Sequence, residues 1–290
     1  MTNKKTPIGF FPTAAEDLKH ACQTDMTSNS YRLAYSDDQF LLRDDLRAVR
    51  LQLEWLKPDL IQEEQGIEST VVIFGGARFI EPEKARLKLK VAKDALAASP
   101  KDAQLLQALR KAEILVQNSS YYDNAQHLSK MITQKSLAHK GNEYVIVTGG
   151  GPGVMEAANR GAYDAGGKSI GLNIVLPFEQ KPNPYITPEL CFQFHYFALR
   201  KMHFLKRAVA LIAYPGGFGT LDELFETLTL IQTKKIKPLP VILMGKEYWQ
   251  RLIDFDFLVE QGAIAEADLS LFKMVDSAEE AWNILAESWG

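Results

Sequence analysis

Two glycine-rich loops carry the residue types most suited to chemistry in this sequence. The GGG loop reads TGGGPGV over residues 148–154, and the PGG loop reads YPGGFGT over residues 214–220. A glycine after a strand lets backbone N–H groups approach an anion without a Cβ in the way, and the helix that follows adds unpaired N–H donors with a partial positive charge. The pattern therefore predicts a phosphate site, while glycines that only turn tightly between a strand and a helix are the alternative interpretation. The candidate phosphate-binding residues in these loops are Gly149, Gly150, Gly151, Gly216, Gly217, Gly219 and Thr220.

A carboxylate, Glu223, follows the PGG loop at a position that has two interpretations. Thr220 and Glu223 stand three residues apart before an apolar run, which is the S/T-x-x-E spacing of a capping box. The functional interpretation is that a carboxylate in the first turn, beside a phosphate cradle, faces the bound ligand and acts in catalysis. The spacing leaves both interpretations open, and they do not exclude each other.

Three basic residues are candidates to meet an anion at the same place. Arg200 and Lys201 begin a predicted helix that precedes the strand predicted over 208–214, so the helix runs antiparallel to the strand and starts near its carboxyl end. Arg78 directly follows two glycines and an alanine, and its guanidinium can bind a phosphate through two parallel hydrogen bonds. Taken singly, Arg200 fits a solvated helix position better than a binding site.

Strands and helices alternate regularly along most of the chain. Short apolar runs that end in glycine or a turn predict buried parallel strands, and strands that alternate with helices imply a parallel sheet covered on both faces. The predicted fold is therefore a doubly wound α/β fold. Because ligands bind beyond the carboxyl ends of such strands, we expect the GGG and PGG loops to gather on one edge. The predicted strands cover residues 70–78, 144–151, 169–176, 191–197, 208–214 and 239–245.

Outside this alternation the sequence predicts two helical additions. Residues 1–69 are mixed and charged, with a helical pattern from about Gln39 to Leu56, and we interpret them as an N-terminal helical extension. Residues 70–290 form the predicted α/β domain, with a long helical insert at about 82–140. Two further predicted features are a polar break at 118–124 and a last helix at 247–261.

Composition and charge disfavour several classes of protein. The 290 residues are 46% hydrophobic and 24% charged with a net charge of −3, which is typical of a globular protein and gives no basic field for a nucleic-acid polymer or an anionic membrane. The two cysteines, Cys22 and Cys191, form no CxxC or Cys/His pattern, so neither a disulfide scaffold nor a metal site is predicted. No N-terminal apolar run has signal-peptide length, and no segment reaches the ~20 apolar residues that cross a bilayer. We therefore expect a cytoplasmic protein.

Two other phosphate-binding patterns nearly occur and fail. The GGG loop lacks the third glycine of a GxGxxG dinucleotide motif, because Val154 and Glu156 stand where it belongs, and this disfavours a dehydrogenase. Residues 161–169, GAYDAGGKS, have one residue too many for a P-loop and lie between a helix and a strand, the reverse of the order a P-loop needs. We interpret this segment as the end of a helix.

Four segments form a specific combination. They are TGGGPGVMEAAN at 148–159, LRK at 199–201, PGGFGTLDE at 215–223 and KP at 237–238. Together they resemble the Lonely Guy family of phosphoribohydrolases, which act on nucleoside 5′-monophosphates and were often labelled lysine decarboxylases. The resemblance spans about Val71 to Val259. It implies a Rossmann-like fold, a homodimer with sites at the subunit interface, no metal or redox cofactor, Arg200 and Glu223 as catalytic residues, and Gly216 to Thr220 as the phosphate loop.

The resemblance implies a reaction but leaves the base open. Breaking an N-glycosidic bond builds positive charge on the ribose, so a carboxylate near C1′ stabilises that state and activates water. Glu223 is expected in this role, with Arg200 on the phosphate or the departing base. The proline-rich segment 176–190 is similar to the larger bacterial nucleotide 5′-monophosphate nucleosidases, so AMP is expected at least as much as a cytokinin riboside monophosphate. A non-catalytic nucleotide-binding regulatory protein and a pyridoxal-phosphate decarboxylase remain as alternatives.

Overall fold

The computed structural model describes residues 11–21, 28–177 and 181–290, so the prediction on Cys22 lies outside the described residues. The chain divides into two compact units, Met1–Trp55 and Leu56–Gly290. The domain boundary between residues 69 and 70 stays a prediction.

The second unit is built on a parallel sheet. Within the described residues its strands are β1 (Thr70–Phe74), β2 (Val145–Thr148), β3 (Ser169–Ile174), β4 (Cys191–Phe194), β5 (Ala208–Ala213), β6 (Val241–Met244) and β7 (Lys273–Val275). Their spatial order is β4-β3-β2-β1-β5-β6-β7, and every neighbouring pair is parallel. The chain therefore winds outward from β1 in both directions, which confirms the predicted doubly wound, Rossmann-like α/β fold.

The helices connect these strands and precede them. They are α1 (Ala14–Ala21), α2 (Asp38–Leu41), α3 (Arg47–Glu64), α4 (Pro82–Ala98), α5 (Ala103–Asn118), α6 (Ser120–Ala138), α7 (Val154–Asp164), α8 (Phe197–Lys206), α9 (Phe218–Gln232), α10 (Lys246–Leu252), α11 (Phe255–Glu260) and α12 (Ala278–Trp289). None of the described helices is both long and apolar enough to cross a membrane. α7 ends before GAYDAGGKS does and β3 begins at its last residue, as the helix-end interpretation predicts.

Helices cover both faces of the sheet. Alternate residues of β1 point to opposite faces, so Val72 and Phe74 pack in the core with α8 and α9, whereas Val71 and Ile73 pack in the core with α6 and α7. All five residues of β1 are buried. This two-sided burial explains why the strand reads as a continuous apolar run.

The third helix of the predicted insert belongs to the core. Leu128 and Ile132 of α6 are fully buried, and Gly161 of α7 allows the backbone of Gln126 to approach closely. The polar break predicted at 118–124 is wrong, because only one residue separates α5 from α6. Tyr122 inside that segment is buried and donates a hydrogen bond to Glu156 at 3.1 Å.

Three other boundaries differ from the sequence pattern. The helix predicted from about Gln39 to Leu56 is divided between α2 and α3, and α3 continues to Glu64. The helix predicted over 247–261 is two helices, since the side chain of Asp254 accepts a hydrogen bond from Phe257 N at 2.9 Å and starts α11. The sequence pattern did not predict β7, which has only three residues.

Candidate functional site

Three loops meet at the carboxyl edge of the sheet. Gly76, in the loop after β1, donates its N–H to Pro215 O of the PGG loop at 2.8 Å. The same residue accepts a hydrogen bond from Val154 N of the GGG loop at 3.2 Å. Since these loops follow β1, β5 and β2, the convergence predicted from the glycine positions is confirmed.

The GGG loop turns sharply at Gly150. This residue has φ +74°, a conformation that favours glycine, and a Cβ there would collide with the side-chain amide of Asn173. Its N–H is already engaged, because it donates to Thr148 Oγ1 at 3.0 Å. Within the described residues Gly151 N has no such acceptor. Gly150 therefore shapes the loop, and Gly151 keeps a backbone N–H donor for an anion.

The PGG loop opens α9 without a capping box. α9 begins at Phe218 with Gly217 as its N-cap, and Thr220 lies inside the first turn, where its N–H bonds to Gly217 O at 3.0 Å. Thr220 is buried, and its hydroxyl lies against Gly216. The interpretation of Thr220 and Glu223 as a capping box is therefore wrong, because the helix starts two residues before Thr220. The N–H groups of Phe218 and Gly219, the first two residues of α9, have no partner within the helix.

Glu223 lies in the second turn of α9 and is 6% exposed. Burial raises the pKa of Glu223 to about 7, against the opposing charges of Lys201 and Arg200, and the neighbouring Glu226 and Asp222 raise it further. A carboxyl group in this state can both accept and donate a proton near neutral pH. Glu223 is thus suited to acid–base chemistry.

Arg200 contacts the GGG loop and interacts electrostatically with Glu223. Its Nε donates to Leu172 O of β3 at 2.7 Å, and its guanidinium lies directly against Gly149, where a Cβ would stand 2.7 Å from one of its terminal nitrogens. The guanidinium carbon is also 5.0 Å from the ring centre of Phe204. Burial lowers the pKa of Arg200, and the negative charge of Glu223 partly offsets this effect. The charges of the two residues therefore interact.

Lys201 is engaged by carboxylates of α9. Its Nζ lies 3.0 Å from Asp222 and 2.9 Å from Glu226. Burial alone would lower the pKa of Lys201, but hydrogen bonds to Glu226 and Asp222 together with the charge of Glu223 raise it. Lys201 is therefore charged, half-buried and paired, and its predicted contact with phosphate stays a prediction.

Arg78 is exposed in the turn after Gly76. It makes no hydrogen bond or ion pair with other described residues, so its guanidinium is open to solvent near the site. The structure brings the two glycine loops, Arg200 and Glu223 together, whereas Arg78 remains at the rim. The described residues contain no group of three or more His, Cys, Asp or Glu side chains placed to hold a metal ion.

Two residues at the site escaped the sequence analysis. Tyr248 of α10 donates its hydroxyl to Gly216 O at 2.5 Å, and Asn183 donates its side-chain amide to the carbonyls of Gly150 and Gly151 at 3.2 and 3.1 Å. Neither belongs to a glycine loop or a periodic stripe. The proline-rich segment that contains Asn183 was noted for its similarity to the larger bacterial nucleosidases. That similarity did not predict a contact between Asn183 and the GGG loop.

Comparison with known proteins gives a family model and curated relatives that match parts of this chain. A family model described as "Possible lysine decarboxylase" matches residues 155–285. The probable cytokinin riboside 5′-monophosphate phosphoribohydrolase LOG4 of Oryza sativa subsp. japonica is 30% identical over 173 residues, which are 58% of this chain and 71% of that protein. The cytokinin riboside 5′-monophosphate phosphoribohydrolase LOG3 of Arabidopsis thaliana is 30% identical over 174 residues, which are 58% of this chain and 76% of that protein.

A solved structure has a weaker likeness. The molybdenum cofactor binding protein of the phototrophic bacterium Rippkaea orientalis superposes with a TM-score of 0.46 at 19% sequence identity, covering 77% of this chain and 98% of that chain. A likeness at this score carries no statement about the present site.

Proposed function

The chain belongs to the Lonely Guy family, and on that premise we propose that it hydrolyses the N-glycosidic bond of a nucleoside 5′-monophosphate to a free base and ribose 5-phosphate. The relatives carry the name of a phosphoribohydrolase for cytokinin riboside 5′-monophosphates. The observation that carries the proposal is the buried Glu223, with its pKa raised to about 7, beside Arg200 and two glycine loops.

The chemistry follows from where charge develops. As the bond from C1′ to the base nitrogen breaks, its electron pair leaves with the base and positive charge grows on the ribose. Ionised Glu223 stabilises that charge and takes a proton from the attacking water, whose oxygen bonds to C1′. The proton then returns to the base or to solvent. Arg200 holds the phosphate or the departing base.

The phosphate is assigned to the glycine loops. Gly151 offers a backbone N–H, and α9 offers its first N–H groups and the positive end of its dipole. Arg78 stands at the rim and Lys201 beside Glu223, and both are proposed as supporting positive charges. Binding the remote phosphate converts binding energy into orientation of C1′ at the carboxylate.

The test is base release. AMP and a cytokinin riboside 5′-monophosphate are each incubated with the protein, and chromatography measures free base and ribose 5-phosphate. Release of base from either supports hydrolysis, and the preferred substrate identifies the base. Binding of AMP with no base release would instead favour a non-catalytic nucleotide-binding regulatory protein.

A substitution in the PGG loop can test whether its glycines bind the phosphate or only shape the backbone. A Cβ built on Gly217 or Gly219 meets no atom within 4 Å, and alanine is preferred to glycine inside a helix. Gly219→Ala is therefore expected to keep the melting temperature. Its Cβ should nevertheless hold the phosphate away from the backbone N–H groups at the start of α9 and weaken AMP binding by at least about tenfold, the loss of one hydrogen bond to a charged group. Calorimetry with AMP and with adenosine checks this, since adenosine lacks the phosphate. Unchanged AMP affinity would show that the phosphate does not approach the backbone at Gly219.

The pH dependence gives a second prediction. Because burial raises the pKa of Glu223 to about 7 and the ionised form is the active one, kcat/KM should fall as pH drops below about 7 and level off above it. Glu226→Gln removes a negative charge that raises the pKa of Glu223. The acid limb of this variant, meaning the fall of its kcat/KM at low pH, should therefore move to lower pH. An acid limb of the wild type near the ordinary pKa of glutamate, about 4.3, would contradict the assignment.

Assembly and location remain proposals. The family resemblance implies a homodimer with sites at the subunit interface, and Phe218 of the PGG loop, at 92% exposure, is an apolar side chain that such an interface would cover. A cytoplasmic location also stays a prediction.

A further inference from the structure

We propose that Asn183 is a positioning residue that orients the GGG loop for the substrate's phosphate, an inference that rests on the proposed function. Asn183 is 7% exposed and comes from the proline-rich segment between β3 and β4, about 30 residues beyond the loop it contacts. Among the described residues it makes no hydrogen bond to Arg200 or Glu223. Its effect on the site passes through the backbone of Gly150 and Gly151.

The Asn183 side chain is held in one orientation. Its Oδ1 accepts the N–H of Tyr185 at 3.2 Å, which turns Nδ2 toward the GGG loop. The two Nδ2 protons are shared among three oxygens, those of Gly150, Gly151 and the Asn159 side chain, at 3.2, 3.1 and 2.9 Å. The backbone N–H of Asn183 adds a fourth bond, to Gly150 O at 2.9 Å. One residue thus fixes two consecutive carbonyls.

The same network reaches the other side of the loop. Asn159 Oδ1 also accepts a hydrogen bond from Thr148 Oγ1 at 2.7 Å, and that hydroxyl accepts the N–H of Gly150. Thr148 and Asn159 are fully buried. Removing one partner from such a network leaves buried polar groups without a hydrogen bond. The free-energy cost of that exceeds the net contribution of the hydrogen bond to stability.

The direction of the carbonyls decides which donor an anion meets. In a trans peptide the C=O of one residue and the N–H of the next point to opposite sides. With Gly150 O held toward Asn183, the N–H of Gly151 is turned away from Asn183 and is left without an acceptor among the described residues. We assign this N–H to the phosphate. Since Gly149 lies against the Arg200 guanidinium, a shift of the loop would also disturb that contact.

Binding measurements on inactive protein test this inference without turnover. In a Glu223→Gln background, Asn183→Ala is expected to raise the dissociation constant for AMP at least about tenfold, the size of one lost hydrogen bond to a charged group, and to leave that for adenosine within about twofold. Thr187→Val is the matched control. Thr187 Oγ1 accepts Ser169 N at 3.0 Å, so this variant loosens the same segment from the sheet without touching the GGG loop.

The outcomes are distinct. If Asn183→Ala and Thr187→Val lower AMP affinity equally, or if Asn183→Ala weakens AMP and adenosine equally, Asn183 has only a structural role and the inference fails. If Asn183→Ala does not fold, Asn183→Ser keeps a side-chain acceptor without adding a charge, and the same criteria apply to it. If the wild type binds AMP but releases no base, the proposed hydrolysis fails while the binding result still decides the role of Asn183.

Discussion

Glu223→Gln should lower kcat for hydrolysis of the preferred nucleotide by about a thousandfold, within the range by which proton transfer from a positioned side chain accelerates reactions. Glutamine has the shape of glutamate but neither its charge nor its basicity. It can stabilise the developing charge on the ribose only weakly, and it cannot take the proton of the attacking water. Steady-state measurement of base release gives kcat and KM.

The fold should survive this substitution. Glu223 makes no capping bond that glutamine would lose, because α9 starts at Phe218. A carboxyl whose pKa burial raises to about 7 already spends part of its time neutral at that pH, so the surrounding protein accommodates an uncharged group. The melting temperature is therefore expected to stay close to that of the wild type.

Glu226→Gln is the matched control for Glu223→Gln. It makes the same chemical change one turn further along α9, at a residue that pairs with Lys201. Apart from the shift of its acid limb, it should retain turnover within a few-fold of the wild type. If Glu223→Gln instead keeps wild-type turnover, catalysis does not pass through Glu223 and the mechanism above is wrong.

The sheet and its functional edge could be predicted from the sequence because both leave local traces. A strand buried on both faces, such as Thr70–Phe74, is apolar over nearly all its length, and glycines mark the points where the chain leaves the sheet. The three residues of β7 leave too short a trace to detect. The S/T-x-x-E spacing at Thr220 led to a wrong prediction of the helix start. The spacing matches a capping box, but it does not indicate that α9 already begins at Phe218.

The electrostatics of the site could not be predicted, because they depend on contacts between distant segments. Burial of Glu223 requires α8 and α9 to pack on the same face of the sheet, and Lys201 meets Glu226 only in that packing. Asn183 reaches the GGG loop across more than thirty residues. Such contacts set the pKa of Glu223 and the shape of the loop, and no periodicity in the sequence records them.

Arg200→Lys should reduce kcat/KM by about a hundredfold, the lower end of the cost of removing one preorganised donor from a site. The guanidinium donates to Leu172 O, places a terminal nitrogen against Gly149 and keeps further N–H groups for a ligand. A lysine ammonium is a compact point charge that cannot fill these positions together. A loss mainly in KM would assign Arg200 to the phosphate, and a loss mainly in kcat would assign it to the departing base.

Arg207→Lys provides the control for Arg200→Lys, since it makes the same exchange just after the last turn of α8. Arg207 pairs with Asp59 at 2.6 Å, and lysine retains that attraction, so activity should not change. Arg200→Ala adds a charge test. The charge of Arg200 lowers the pKa of Glu223, so its removal should move the acid limb of kcat/KM to higher pH, whereas Arg200→Lys should leave the limb near its wild-type position. Equal acid limbs in the wild type and Arg200→Ala would show that Arg200 does not act on Glu223 through its charge.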